Sequence, residues 1–101
     1  MEYGLGDDII RKIHDVFTDY PQVDKAILYG SRAKGTFKPG SDIDLTLFGE
    51  DLDLKILNQI SFALDDLYMP YELDLSVYDY IESPDFLDHI KRVGIEFYCK
   101  K

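Results

Sequence analysis

The sequence predicts a small α/β fold: a mixed β-sheet of three or four strands with helices packed on one face. Two amphipathic segments of helical period flank short runs of strand period, and Pro or Gly punctuates each change of period. The 101 residues suit one domain spanning 1–101, and the apolar share of 46%, with eight Tyr and six Phe, supplies one core.

The first element is a helix over residues 8–20. Ile9, Ile13, Val16, Phe17 and Tyr20 recur at helical spacing, Asp7 and Asp8 suit the positive end of the helix dipole, and Pro21 closes it. Lys25, Ala26, Ile27, Leu28 and Tyr29 form a short apolar run ending at Gly30, as a buried strand does. From 30 to 41 the composition turns to Gly, Ser, Lys, Arg, Thr and Pro, which is loop chemistry. Residues 42–48 alternate at period two, with Ile43, Leu45 and Leu47 on one face and Asp42, Asp44 and Thr46 on the other. A helix capped by Asp51 and running to about residue 68 follows, with Ile56, Ile60, Ala63 and Leu67 in one apolar row. Beyond Pro70, residues 72–77 alternate again, with Leu73, Leu75 and Val77 opposite Glu72, Asp74 and Ser76. Ser83-Pro84 is an N-cap and first-position pair, and its helix carries Phe86, Ile90 and Val93 and stops at Gly94. An apolar tail over 95–99 is the candidate for a last, edge strand. Tyr68, Tyr71, Tyr78 and Tyr80 are expected in core and rim packing or on a partner surface.

Charge narrows the function. A formal net charge of -9 argues against direct nucleic-acid binding, because phosphate backbones need a basic face, and against an anionic membrane surface. The single cysteine, Cys99, allows no internal disulfide, which suits a reducing cytoplasm. The N-terminus has neither the basic nor the apolar region of a secretory signal, and no apolar stretch approaches the roughly 20 residues of a spanning helix. A cytoplasmic protein is expected.

The chemistry is concentrated in Gly30-Ser31-Arg32-Ala33-Lys34-Gly35 and Ser41-Asp42-Ile43-Asp44. Residues two apart on a strand share a face, so Asp42 and Asp44 stand side by side and repel unless a cation lies between them. Mg²⁺ takes oxygen ligands of this kind, commonly one or two carboxylates plus substrate phosphates. Gly30 lets backbone approach a phosphate, Ser31 adds a hydroxyl and an N–H, and a helical turn beginning there aims further N–H groups at an anion. Arg32 and Lys34 could neutralise phosphate charge, and Ser41 joins the nucleotide-contacting set. Gly30 and Gly35 have P-loop spacing, but Thr36 stands where the lysine should be, and the acids lack the Gly and distal Glu of an EF-hand. An Asp-X-Asp alone is commonly a solvated face and a Gly-Ser alone an ordinary turn. The combination at fixed spacing is what points to a metal–nucleotide site. His14 and His89 have no paired ligand nearby in sequence and read as packed or solvated.

Gly-Ser, ten residues, then Asp-X-Asp resembles the signature of the DNA polymerase β-like nucleotidyltransferase superfamily. The wording around both motifs is similar to its shortest branch, the minimal nucleotidyltransferases (MNT), antitoxins encoded beside HEPN-domain toxins. The resemblance extends over nearly the whole chain and implies a nucleotidyltransferase fold. It implies that Asp42 and Asp44 hold two Mg²⁺ ions and that Asp74, preferred over Glu72 on the same face, completes one metal site and helps activate the attacking hydroxyl. Gly30 and Ser31 would bind the phosphates of ATP. The implied reaction is transfer of AMP from ATP to a hydroxyl, with a tyrosine of a HEPN RNase toxin as acceptor. Neutralisation by binding alone is the alternative. A small-molecule adenylyltransferase is disfavoured, since such enzymes carry a second domain for the acceptor.

Overall fold

A computed structural model describes residues 2–100. In chain order it contains α1 (Asp7–Thr18), β1 (Lys25–Tyr29), α2 (Ser31–Lys34), β2 (Ile43–Phe48), α3 (Leu54–Asp65), β3 (Leu73–Val77), a 3₁₀ turn (Tyr78–Tyr80), α4 (Pro84–Val93) and β4 (Ile95–Cys99). The strands form one mixed sheet in the order β3-β2-β1-β4. β1 is antiparallel to β2 and β4, and β2 is parallel to β3. The expected α/β class, the mixed sheet and the last edge strand are all present. No helix among the described residues is long and apolar enough to cross a membrane.

Strand period and sheet register together build the core. Ile43, Leu45 and Leu47 of β2 are fully buried, and they join Ala26 and Leu28 of β1, Val77 of β3 and Phe97 of β4 on one face. Ile13, Val16 and Phe17 of α1 and Ile60 and Leu64 of α3 close over that face. A register shift between Ala26 and Ile27 in the β1–β4 ladder lets the neighbouring Phe97 and Tyr98 both reach α1: Tyr98 meets Phe17, and both meet His14. A bulge of this kind puts consecutive side chains on one side of a strand.

Two placements differ from the sequence expectation. The cap of α3 is Asp53, whose side chain accepts from Ile56 N–H at 2.8 Å, not Asp51. The buried Leu52 anchors the preceding turn to the core, so the helix starts later. The second concerns α4, which does not share the α1/α3 face. Phe86 and His89 pack their rings on Tyr29, the direct cross-strand partner of Asp44, so α4 lies over the acid-bearing side of the sheet. Ile90 is buried yet stands outside the main core cluster, as a residue on the opposite face must. The apolar row Phe86, Ile90 and Val93 has the right period for either face, so period alone does not choose between them. Of the tyrosine cluster, Tyr71 and Tyr78 are half-buried, and Tyr78 stacks on Phe48 at 4.3 Å, whereas Tyr68 is 89% exposed.

Leu45→Ala is expected to cost about 2–5 kcal/mol in urea unfolding, since its site is sealed on both sides, while Leu54→Ala on the exposed start of α3 stays within about 0.5 kcal/mol. Equal losses at the two positions would contradict this placement of the core.

Candidate active site

The sheet register decides which acids meet. Asp44 lies in the second strand from the edge, directly opposite Tyr29 of β1 on one side and Asp74 of β3 on the other. Residues directly opposite in adjacent strands share a face, so Asp44 and Asp74 are neighbours, and Asp42 precedes them at the mouth of β2. Asp42 and Asp74 are exposed and Asp44 is half-buried. Burial raises the Asp44 carboxyl above the ordinary carboxylate range, and the charges of Asp74 and Asp42 push it the same way. Tyr29 is pushed up to about 12, chiefly by burial, with Asp74 and Asp44 adding and the nearby Ser76 hydroxyl opposing. It is a neutral phenol at any physiological pH.

The Gly30-Ser31 turn abuts the same carboxylate. Gly30 adopts φ 77° and ψ -156°, a conformation essentially reserved for glycine, and a Cβ there would overlap Asp44 Oδ2. The turn continues as α2, closed by Lys34 N–H donating to Gly30 C=O and by Gly35 in the left-handed conformation. Ser31 is half-buried and Lys34 is exposed on this turn.

Arg32 stands elsewhere than on the phosphate side expected for it. The residue is 3% exposed. Its Nε and Nη2 donate to Ser41 C=O at 3.1 and 2.9 Å, and its Nη1 donates to Tyr3 C=O at 2.8 Å. Ser41 is half-buried, and its hydroxyl accepts from Lys38 N–H at 2.9 Å within the exposed loop. The sequence also gave no sign of Tyr29 as a wall of the site. Its period-two relation to Ile27 puts it on a face, but only the register sets it against Asp44.

A divalent cation fits this donor set. Among the described residues none of the three acids has an ion-pair partner, and Asp44 feels the charges of both Asp74 and Asp42. No three His, Cys, Asp or Glu side chains among the described residues close round one point. An ion shared with substrate phosphates needs only one or two carboxylates from the protein. A surface groove of about 490 Å³ lies against β4 between His14 and Lys100 and includes none of these acids.

A family model for "Polymerase beta, Nucleotidyltransferase" matches residues 11–101. The chain belongs to that nucleotidyltransferase family. No curated protein matches it. Among solved structures, it is similar to a chain of a toxin–antitoxin complex with AMP-PNP, at 22% identity and a TM-score of 0.72, covering 91% of this chain and 74% of the other. A MntA–HepT toxin–antitoxin structure matches at 18% identity and a TM-score of 0.68, over 94% and 74% of the two chains. The complex of a tri-AMPylated Shewanella oneidensis HEPN toxin with its MNT antitoxin matches at 19% identity and a TM-score of 0.66, over 91% and 71%. At these identities the likeness is one of fold.

Two outcomes follow from the geometry. Gly30→Ala should unfold at clearly lower temperature than Gly35→Ala. Both carry positive φ, but a Cβ at Gly35 meets nothing within 4 Å and one at Gly30 strikes Asp44, so the first adds a clash to a backbone cost of about 1 kcal/mol. Equal melting points would refute the contact. The second concerns pH. A carboxyl with a raised folded pKa binds its proton more readily folded than unfolded, so its contribution is present at acid pH and lost as pH rises through the folded value. With EDTA at neutral pH, Asp44→Asn should therefore melt higher than the parent, the gap closing below the ordinary carboxylate range, and Mg²⁺ should raise the parent's midpoint more than the variant's.

Proposed function

We propose that this chain is a Mg²⁺-dependent nucleotidyltransferase that moves AMP from ATP to a hydroxyl, most naturally a tyrosine, of a partner HEPN RNase toxin, and so acts as its cytoplasmic antitoxin. One observation carries the reading: the Asp44 carboxylate lies between the Gly30 turn, which packs directly on it, and a second, exposed carboxylate, Asp74, its direct partner across the β2–β3 ladder. The similarity to folds seen in toxin–antitoxin complexes, one with AMP-PNP and one with an AMPylated toxin, supports the choice of substrate and partner.

In this proposal the Gly30-Ser31 turn receives the triphosphate, Ser31 through its hydroxyl and N–H, and the missing side chain of Gly30 is what lets the turn sit against Asp44. Asp42 and Asp44 hold Mg²⁺, two ions in the full arrangement, with Asp74 completing one site. When bound, the metal neutralises charge on the attacking and leaving oxygens of an in-line displacement. The acceptor oxygen bonds to the α-phosphorus, the bond to the departing pyrophosphate breaks, and the hydroxyl proton passes to Asp74 at the exposed rim. Tyr29, neutral and buried, gives the site an uncharged wall. Lys34, exposed on the α2 turn, is the cation left to meet phosphate now that Arg32 is committed to backbone carbonyls.

The test is incubation with Mg²⁺, labelled ATP and the product of the neighbouring gene. Label should appear on that protein and fall about 100-fold or more with Asp42→Asn plus Asp44→Asn, a loss typical of removing essential transition-state stabilisation. Absent or undiminished labelling would sink the catalytic reading. Neutralisation by binding alone also has something in its favour, because a net charge of -9 suits covering the basic face an RNase needs. That account wins if the double variant still neutralises its neighbour fully.

A further inference from the structure

We propose that Arg32 is a positioning residue, the strut that sets Asp42 and the loop over residues 35–41 against the Gly30-Ser31 turn. The inference rests on the nucleotidyltransferase reading for its consequence in catalysis but on contacts within the chain for its substance. Arg32 belongs to the phosphate-facing turn by sequence, yet its guanidinium fork grips Ser41 C=O with two nitrogens, at 3.1 and 2.9 Å. Ser41 is the residue immediately before Asp42. The third nitrogen ties Tyr3 C=O at 2.8 Å, so the N-terminal turn is held by the same group.

Two aromatic rings fix the guanidinium itself. Phe37 of the loop lies 5.2 Å from its carbon, and Tyr71, just ahead of β3, lies 4.9 Å away. A Cβ at Gly4 would come within 2.9 Å of Nη1, so the N-terminal turn also packs on the group. No carboxylate among the described residues pairs with this buried cation. Its partners are main-chain carbonyls and ring faces, which is the bonding of a brace and not of a charge neutraliser. Lysine cannot reproduce it, having one point donor where the fork has a plane. The backbone gives the loop two holds of its own, Ser41 N–H to Lys38 C=O and Thr36 N–H to Ser31 C=O, both at 3.0 Å, and Arg32 adds the side-chain link that ties Ser41, at the far end of the loop, to the turn and to Tyr71 ahead of β3.

Arg32→Lys tests the assignment, first without any substrate. Amide hydrogen exchange over residues 36–44 should quicken about tenfold or more while α1 and α3 keep their protection, the signature of local opening. Unchanged exchange, or a uniform rise along the whole chain, would overturn the proposal. Should Arg32→Lys fail to fold, Phe37→Leu loosens the same stack with the fork intact and should give the same local pattern several-fold weaker. Labelling of the partner then separates roles: kcat should fall about tenfold or more with KM for ATP held within about twofold, as misplacement of a catalytic group does. A raised KM with kcat retained would make Arg32 a phosphate ligand and end the positioning assignment. A parent protein that transfers no label would strike the functional reading alone, since the exchange result stands apart from it.

Discussion

The register of β2 against its two neighbours is the constraint on which the rest of the molecule depends. Side chains alternate along a strand, so a slip of one residue would carry Asp44 and Thr46 into the hydrophobic face and expel Leu45 and Leu47 to the other. That register is locked from the apolar side: Ile43, Leu45 and Leu47 are fully buried among residues of α1, α3 and the adjoining strands. The core therefore does more than stabilise. It is the device that aligns Asp44 with Asp74 across one ladder and with Tyr29 across the other.

The opposite face pays a visible cost for holding this alignment. Asp44 is half-buried between like charges, and its proton affinity is raised by that burial first and by Asp74 and Asp42 second. A lysine or arginine would relieve this repulsion, but among the described residues no ion pair reaches Asp44, and Arg32 of the adjoining turn bonds Ser41 and Tyr3 instead. Gly30 presses on the same carboxylate, and α4 covers the adjoining Tyr29 with Phe86 and His89. An uncompensated anionic site of this kind is stable only because the packing around it over-determines its place, and it is the arrangement that a cation and a triphosphate together would relieve.

Much of this was legible in the residues, because it rests on local period. The alternation over 42–48 and 72–77 assigns Asp42, Asp44 and Asp74 to polar faces, and the Gly-Ser turn announces itself by composition. The missing parts are long-range. Nothing local tells the α4 row Phe86, Ile90 and Val93 which face of the sheet to cover, and only the tertiary contacts of Phe86 and His89 with Tyr29 show it. The bonding of Arg32 is hidden from the sequence for a related reason. A basic residue in a glycine turn looks like a phosphate ligand, and its carbonyl partners lie nine and twenty-nine residues away in sequence. Tyr29 reads as the end of a buried strand, and only pairing reveals what it faces.

The size of the chain then explains the openness of the site. Sheet, helices and loop are all used in fixing three carboxylates and a turn, and no segment among the described residues closes over Asp42 or Asp74, both of which remain exposed. Under the proposed function, the hydroxyl that gives its proton to Asp74 could therefore arrive on a large body, because nothing among the described residues stands in front of the carboxylate. The same openness leaves water free to enter, so the proposed partner would have two tasks at once: to present the hydroxyl and to exclude solvent. On this physical ground, a catalytic antitoxin would also occlude, and what the double variant separates is whether occlusion alone is enough. A surface that seats tightly enough to keep water from the acids is also one that covers the partner's own face, and the chemistry would make permanent what the contact begins.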